Sequence, residues 1–142
     1  MLMGEYSHTI DAKGRIIIPA KFREELGEGF VVSRGFDGCL YAYDAESWEK
    51  IKQQLNALPQ FKKDARDIVR FFLSGAVEEE VDKQGRILIP AKLREYAGLK
   101  KEVTLVGIGS KVEIWDSDKW NSIVPDSIDD RAEELSELGI SF

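Results

Sequence analysis

The sequence is poor in the residue types on which several functional classes depend. Its one cysteine, Cys39, cannot form an internal disulfide, so a reducing cytoplasm is the expected compartment. Its one histidine, His8, has no cysteine or histidine companion, which argues against a metal site. No apolar run approaches the ~18 residues of a membrane span. Glu5 and His8 interrupt the start before an apolar run of a signal peptide forms.

An excess of positive charge is also missing, because the net charge is -6. The acid is concentrated at one end, where residues 124–142 contain six acidic side chains against Arg131 alone. That segment has a net charge of -5, which leaves -1 for the rest of the chain. An acidic terminus can lie away from a basic surface, so the overall charge does not exclude a nucleic-acid partner.

The most informative feature of the sequence is an internal repeat. Residues 11–27 read DAKGRIIIPAKFREELG and residues 82–98 read DKQGRILIPAKLREYAG, an offset of 71. Each repeat is too short to bury much core alone. We therefore expect the two repeats to close one shared core with internal two-fold symmetry, so that a loop in one has a twin in the other.

Each repeat opens with a turn signal. Asp at the first position and Gly at the fourth, in 11–14 and again in 82–85, suit a hairpin with a type I turn and a left-handed glycine bulge. Glycine is needed there because a side chain resists positive φ. The outgoing strands 16–18 and 87–89 are apolar at every position, which predicts barrel strands buried on both faces.

Proline then ends each strand and begins a short helix, predicted over 20–26 and 91–97 and closed by glycine. Asp44 and Asp116 are predicted N-caps of later helices. The chain is thus expected to be mainly β within the α+β class, a barrel with peripheral helices. The predicted divisions are repeat 1 (5–51), a helical linker (52–76), repeat 2 (77–123) and an acidic C-terminal segment (124–142).

The linker contains an apolar cluster, Phe71-Phe72-Leu73, on a helix predicted to begin at Asp64. Three consecutive large apolar residues are more than one buried face of a short helix usually contains. Two interpretations stay open: the cluster closes the core, or it contacts another subunit.

The candidate functional residues are the cations of the two turns: Lys13, Arg15, Lys83 and Arg86. The simplest interpretation is a solvated turn with Arg15 paired to Asp11. Turn geometry explains why Asp and Gly recur, but it does not explain the recurring Arg. An Arg on a rigid bulge suits bidentate contact with phosphate or a guanine edge, which favours DNA binding. The helix cations that recur, which either face solvent or add phosphate contacts, are Lys21, Arg23, Lys92 and Arg94.

The repeated D-x-x-x-R line followed by I-P-A-K resembles the MraZ family of bacterial transcription regulators. The opening residues 3–15, the linker 62–66 and the segment 71–76 also resemble it. The resemblance implies an AbrB-like swapped-hairpin fold, in which two half-barrels form one pseudo-two-fold β-barrel. It further implies a ring-shaped homo-oligomer, often an octamer. The implied location is the cytoplasm, in association with the nucleoid.

The same resemblance implies a repressor of the division and cell-wall gene cluster that binds double-stranded DNA at short G-rich direct repeats. In that family the D-x-x-x-R loops contact DNA, so the resemblance implies DNA contacts by Lys13, Arg15 and Arg86. Lys83 aligns with Ala12, so the two loops need not read DNA alike. The residues expected to shape the loops are Asp11, Gly14, Asp82 and Gly85.

Two alternatives remain from the sequence. An AbrB-like antitoxin would bind DNA and also a toxin, for which segment 124–142 is the candidate region. A small barrel enzyme is the other, but no set of nucleophile, base and orienting group is recognisable. We accordingly expect no catalytic residue, no metal and no cofactor.

Overall fold

The computed structural model describes residues 1–123 and 127–142; residues 124–126, the first of the predicted acidic segment, lie outside the described part. The strands are β1 Leu2–Thr9, β2 Arg15–Ile17, β3 Val31–Arg34, β4 Leu40–Tyr43, β5 Val77–Glu78, β6 Arg86–Leu88, β7 Glu102–Gly109 and β8 Val112–Asp116. The helices are α1 Ala20–Leu26, α2 Ala45–Asn56, α3 Lys63–Ser74, α4 Ala91–Ala97, α5 Ser117–Ile123 and α6 Ile128–Leu135. Within the described ranges, no helix has the length and apolar character to span a bilayer.

Six strands form one antiparallel sheet in the order β1-β7-β8-β4-β3-β5, and β2 and β6 form a separate two-stranded ladder. The large sheet interleaves the repeats, because β1 of the first repeat pairs with β7 of the second along its whole length. At the other edge, β3 of the first repeat pairs with β5. The predicted α+β class is confirmed, with a large antiparallel sheet and helices around it.

The two turns have the predicted conformation. The Gly14 N–H donates to the Asp11 carbonyl at 3.0 Å, the Asp11 N–H donates to the Arg15 carbonyl at 3.0 Å, and Gly14 has a φ of +87°. In the second turn Gly85 bonds to Asp82 at 3.0 Å and has a φ of +81°. These are the bonds of a type I turn followed by a left-handed glycine bulge.

The prediction that each turn joins a paired hairpin was wrong. β1 pairs with β7, while β2 pairs antiparallel with β6 of the other repeat. The ladder extends by one bond at each end, because Ile18 donates to the Gly85 carbonyl at 2.9 Å and Ile89 to the Gly14 carbonyl at 2.8 Å. Exchange of strands buries the inward isoleucines of both repeats in one common core, which a local hairpin would not do.

That core is built about equally from the two repeats. Its centre includes Ile16, Ile18, Phe22, Ile87, Ile89 and Leu93, all nearly inaccessible to solvent. A second cluster lies where α2 and α3 cover the sheet, around Tyr43, Trp48, Leu55, Phe72 and Trp115. Within the linker triplet, Phe72 is buried, whereas Phe71 and Leu73 are half-buried against the same cluster.

Local signals placed the helix ends well. The Asp44 carboxylate accepts the Ser47 N–H at 3.2 Å, and the Asp116 carboxylate accepts the Lys119 N–H at 3.3 Å, so both predicted N-caps are present. α1 and α4 have the predicted bounds, and glycine follows each. α2 begins at Ala45, so position 52, the expected start of the linker, lies inside a continuous helix.

Candidate nucleic-acid interface

The first loop, residues 11–15, is organised by one carboxylate. Asp11 Oδ1 accepts the backbone N–H groups of Lys13 at 3.0 Å and Arg15 at 2.8 Å. Asp11 Oδ2 accepts Arg15 Nε at 2.7 Å. These bonds, above all the one from the Arg15 backbone, hold the pKa of Asp11 below its usual value. The carboxylate therefore stays charged and fixes the direction in which Arg15 leaves the strand.

The second loop, residues 82–86, repeats this arrangement. Asp82 Oδ1 accepts the N–H groups of Gln84 and Arg86, each at 2.9 Å, and Oδ2 accepts Arg86 Nε at 2.9 Å. The pKa of Asp82 is lowered, first by the Arg86 backbone bond. Lys13 and Lys83 are both exposed, but Lys83 lies one position earlier in its turn.

The pairing of Arg15 with Asp11, which was the simplest interpretation of the sequence, is present in the structure. It engages Nε, the inner nitrogen of the guanidinium. Within the described residues, the terminal nitrogens of Arg15 have no hydrogen-bond partner of their own. A pairing of this kind orients an Arg while leaving its outer edge able to bind a further group.

The two arginines lie on one surface. In the β2–β6 ladder Arg15 faces Leu88 and Ile17 faces Arg86, while Ile16 and Ile87 pair on the inner side. Arg86 Nη1 also approaches Asp11 Oδ2 at 3.9 Å, so one carboxylate lies beside both arginines. The ladder therefore brings together the arginines that the sequence placed 71 residues apart.

The expectation that these strands are buried on both faces was wrong. Ile17 is 41% exposed and Leu88 is 51% exposed, and they share the outer surface with the arginines. The ladder has only two strands, and the exposure of Ile17 and Leu88 shows that no layer of the described residues covers its outer side, so every second residue faces outward.

Two helix arginines also belong to this region, each beside the loop of the other repeat. A Cβ built on Gly14 would lie 2.8 Å from Cζ of Arg94, and a Cβ built on Gly85 would collide with Nη1 of Arg23. Arg94 Nε is buried without a partner among the described residues. Lys92 remains exposed on the same helix as Arg94.

Sequence reasoning left the role of these helix cations open, and local patterns did not show that each lies beside the loop of the other repeat. Their recurrence was the available signal, but their location follows from strand exchange, which local patterns do not reveal. Each loop region thus holds three cations around one aspartate. The groups are Lys13, Arg15 and Arg94 with Asp11, and Lys83, Arg86 and Arg23 with Asp82. The net charge of each group is positive although the whole chain is acidic.

A family model described as "MraZ protein, putative antitoxin-like" matches the chain twice, over residues 1–71 and 72–138. The Transcriptional regulator MraZ of Thermoanaerobacter sp. (strain X514) is 56% identical over 143 residues, covering 99% of this chain and all of that protein. Proteins of the same name from Lachnoclostridium phytofermentans and Limosilactobacillus reuteri are 54% and 51% identical over 142 residues, the full length of both partners. The solution structure of PHS018 from Pyrococcus horikoshii aligns with a TM-score of 0.33 at 20% identity, over 80% of this chain and 88% of that one.

Proposed function

This chain belongs to the MraZ family, whose matched relatives are named transcriptional regulators, and we propose that it represses its own operon by binding DNA through the loops 11–15 and 82–86. The operon is the bacterial division and cell-wall gene cluster, and the target is a set of short direct repeats in the promoter. The protein acts in the cytoplasm on the nucleoid, without catalysis and without a cofactor.

The observation that carries this proposal is the shared surface of Arg15 and Arg86. Both guanidiniums are anchored through Nε by an aspartate of their own loop. Pre-oriented arginines lose less conformational entropy on binding than free ones. A two-stranded β-ribbon fits the major groove, where Arg makes bidentate bonds to the O6 and N7 atoms of guanine. The half-buried Arg23 and Arg94 and the exposed Lys13 and Lys83 supply phosphate contacts around it.

One such surface carries few charges, so we propose that several act together on a closed homo-oligomeric ring. Linking sites on one rigid body raises affinity without new contacts, provided that they meet successive turns of the duplex. This also explains how an acidic protein can bind DNA, because only the loop surface approaches the phosphates.

The test compares Arg15→Ala and Arg86→Ala with Arg131→Ala, a matched loss of an exposed Arg from α6. Gel shifts on the upstream region should show that each loop variant loses about 1–3 kcal/mol of binding per base contact, while Arg131→Ala binds normally. Size-exclusion chromatography of the same samples reports mass. Wild-type affinity in both loop variants would refute the assignment of the loops, and a monomeric wild-type mass would refute the ring.

The dependence on salt is a second test. The logarithm of affinity falls linearly with the logarithm of salt concentration, with a slope of about 0.9 per phosphate neutralised. The four cations of one chain that contact phosphate in this proposal, Lys13, Lys83, Arg23 and Arg94, predict a slope of about 3.6. We expect a much larger slope because several chains of the ring bind at once, and a slope of about 4 or less would contradict that.

The two alternatives from the sequence now differ in support. The names of the relatives point away from an enzyme. The antitoxin alternative keeps one observation in its favour, the wording of the family description.

A further inference from the structure

We infer that Ile17 and Leu88 contact thymine methyl groups in the major groove, so that the ladder reads thymine next to the guanines read by its arginines. This inference rests on the proposed DNA-binding function, and it assigns to the same surface a second kind of base readout.

The first support is the arrangement of the four outer side chains of the ladder. Arg15 lies opposite Leu88, and Ile17 lies opposite Arg86, so arginines occupy one diagonal and aliphatic side chains the other. Directly opposed residues lie about 5 Å apart, and residues two positions apart on a strand about 7 Å. The patch is thus about as long as two base-pair steps of 3.4 Å, and each aliphatic side chain lies beside an arginine.

The second support is recurrence. Ile17 and Leu88 occupy equivalent positions at the offset of 71 that relates Arg15 to Arg86. Both remain about half exposed, although a polar residue there would leave the inner core formed by Ile16 and Ile87 unchanged. Neither side chain belongs to the two apolar clusters of the described residues, whereas a reading surface gives a reason for an outward aliphatic residue at both positions.

The third support is chemistry. In the major groove only the A·T pair presents a methyl group, that of thymine C5, and proteins recognise it by apolar contact. An isolated aliphatic patch on a surface could meet many partners. Here the patch lies between guanidiniums anchored by Asp11 and Asp82, and their positive charge favours a polyanion over an apolar protein surface.

The experiment uses the full chain and a DNA duplex from its own upstream region. The duplex contains the sequence that the protein protects from nuclease cleavage in a footprinting experiment. Each thymine of the protected sequence is replaced in turn by deoxyuridine, which removes the methyl group and keeps Watson–Crick pairing. Dissociation constants are measured for the wild type, Ile17→Ala and Leu88→Ala. Ile108→Ala, which trims an aliphatic side chain of similar exposure on β7, is the matched control.

We expect the wild type and the control to bind about fourfold more weakly when a contacted thymine loses its methyl group, the equivalent of about 0.8 kcal/mol. Ile17→Ala and Leu88→Ala should bind the normal duplex more weakly. Each should also become insensitive to deoxyuridine at the thymine that it reads, because the contact has already been lost.

Three outcomes would overturn the inference. One is wild-type binding that ignores deoxyuridine at every position. Another is unchanged sensitivity in both variants. The third is a changed oligomeric mass of Ile17→Ala or Leu88→Ala by light scattering, which would assign these side chains to a subunit contact. Failure of the wild type to bind any upstream duplex would instead refute the proposed function itself.

Discussion

Replacing Gly85 by alanine should lower the stability of the fold for two reasons, backbone strain and displacement of Arg23, and the two contributions can be measured separately. Gly85 has a φ of +81°, and the Cβ of an alanine there would occupy the space of the Arg23 guanidinium, which comes from the other repeat. Left-handed backbone costs an L-residue about 1–2 kcal/mol. Moving Arg23 away from its present rotamer costs a further amount of about 1 kcal/mol.

We therefore expect Gly85→Ala to lower the free energy of unfolding by about 2–3 kcal/mol. Gly98→Ala is the control for backbone strain alone, because Gly98 has a φ of +64° and, among the described residues, its added Cβ would meet only Lys119 Nζ, at 3.7 Å. Its cost should be about 1–2 kcal/mol. In an Arg23→Ala background, the cost of Gly85→Ala should fall to that of the control.

The assay is urea unfolding of the wild type, both single variants and the double variant, followed by circular dichroism. A cost of Gly85→Ala that is the same with and without Arg23 would show that the guanidinium does not cover the glycine. A cost below about 0.5 kcal/mol would show that the turn is not left-handed. Gel shifts on the same samples should show a larger loss of DNA binding for Gly85→Ala than for Gly98→Ala, because only the former displaces Arg23, a helix cation beside the second loop.

Three further predictions concern buried groups. Glu79 is 6% exposed, its Oε2 lacks a partner among the described residues, and burial raises its pKa to about 7. Because the folded-state pKa lies above the usual value, wild-type stability should fall between about pH 4.5 and pH 7. Solvent in the open cleft that Glu79 lines limits the effect, so Glu79→Gln should be about 1–3 kcal/mol more stable than wild type at pH 8 and equal to it at pH 4; urea titrations giving the same difference at both values would contradict this. Burial also raises the pKa of Cys39 to about 12, so iodoacetamide should label it rapidly in urea and hardly at all in the native protein; fast native labelling would place the thiol at the surface. Phe72→Ala should cost about 3 kcal/mol or more in a thermal melt, because Phe72 is buried, whereas a full-stability variant of altered mass would assign Phe72 to a subunit contact.

Local chemistry made much of the chain readable from sequence. Asp and Gly at fixed spacing specified the turns, and proline and glycine bounded α1 and α4, because each signal acts within a few residues. Asp44 and Asp116 were recognisable as caps for the same reason. The class of fold followed from these elements.

Pairing partners were not readable from local patterns, and the exchange of strands was expected only through the resemblance to a swapped-hairpin family. The residues 15–18 carry no local signal that distinguishes pairing with 86–89 from pairing with β1. Which strands pair depends on the apolar surface that is buried across the whole core. The run Ile16-Ile17-Ile18 has no alternation of polar and apolar residues, so its outward member could not be identified. The approach of Arg23 to Gly85 and of Arg94 to Gly14 follows only once the strands have exchanged.

The exchange of strands between repeats has a consequence for how the protein is made. Leu2 pairs with Gly109 and Arg15 with Leu88, so neither β1 nor β2 finds its partner until most of the chain exists. At roughly 5–20 residues per second, the second repeat follows the first from the ribosome by several seconds. During that interval the first repeat has unpaired strand edges and an uncovered apolar surface.

Such nonlocal pairing slows folding, because the entropy of closing a long loop is lost before any contact forms. A chain that stops after the first repeat would keep exposed edges that can pair with a second copy of itself. Two such fragments could supply each other's missing strands and rebuild the two-fold core between chains. In the full chain, residues 52–76 join the two repeats covalently. The strand exchange is therefore an intramolecular step and needs no second molecule.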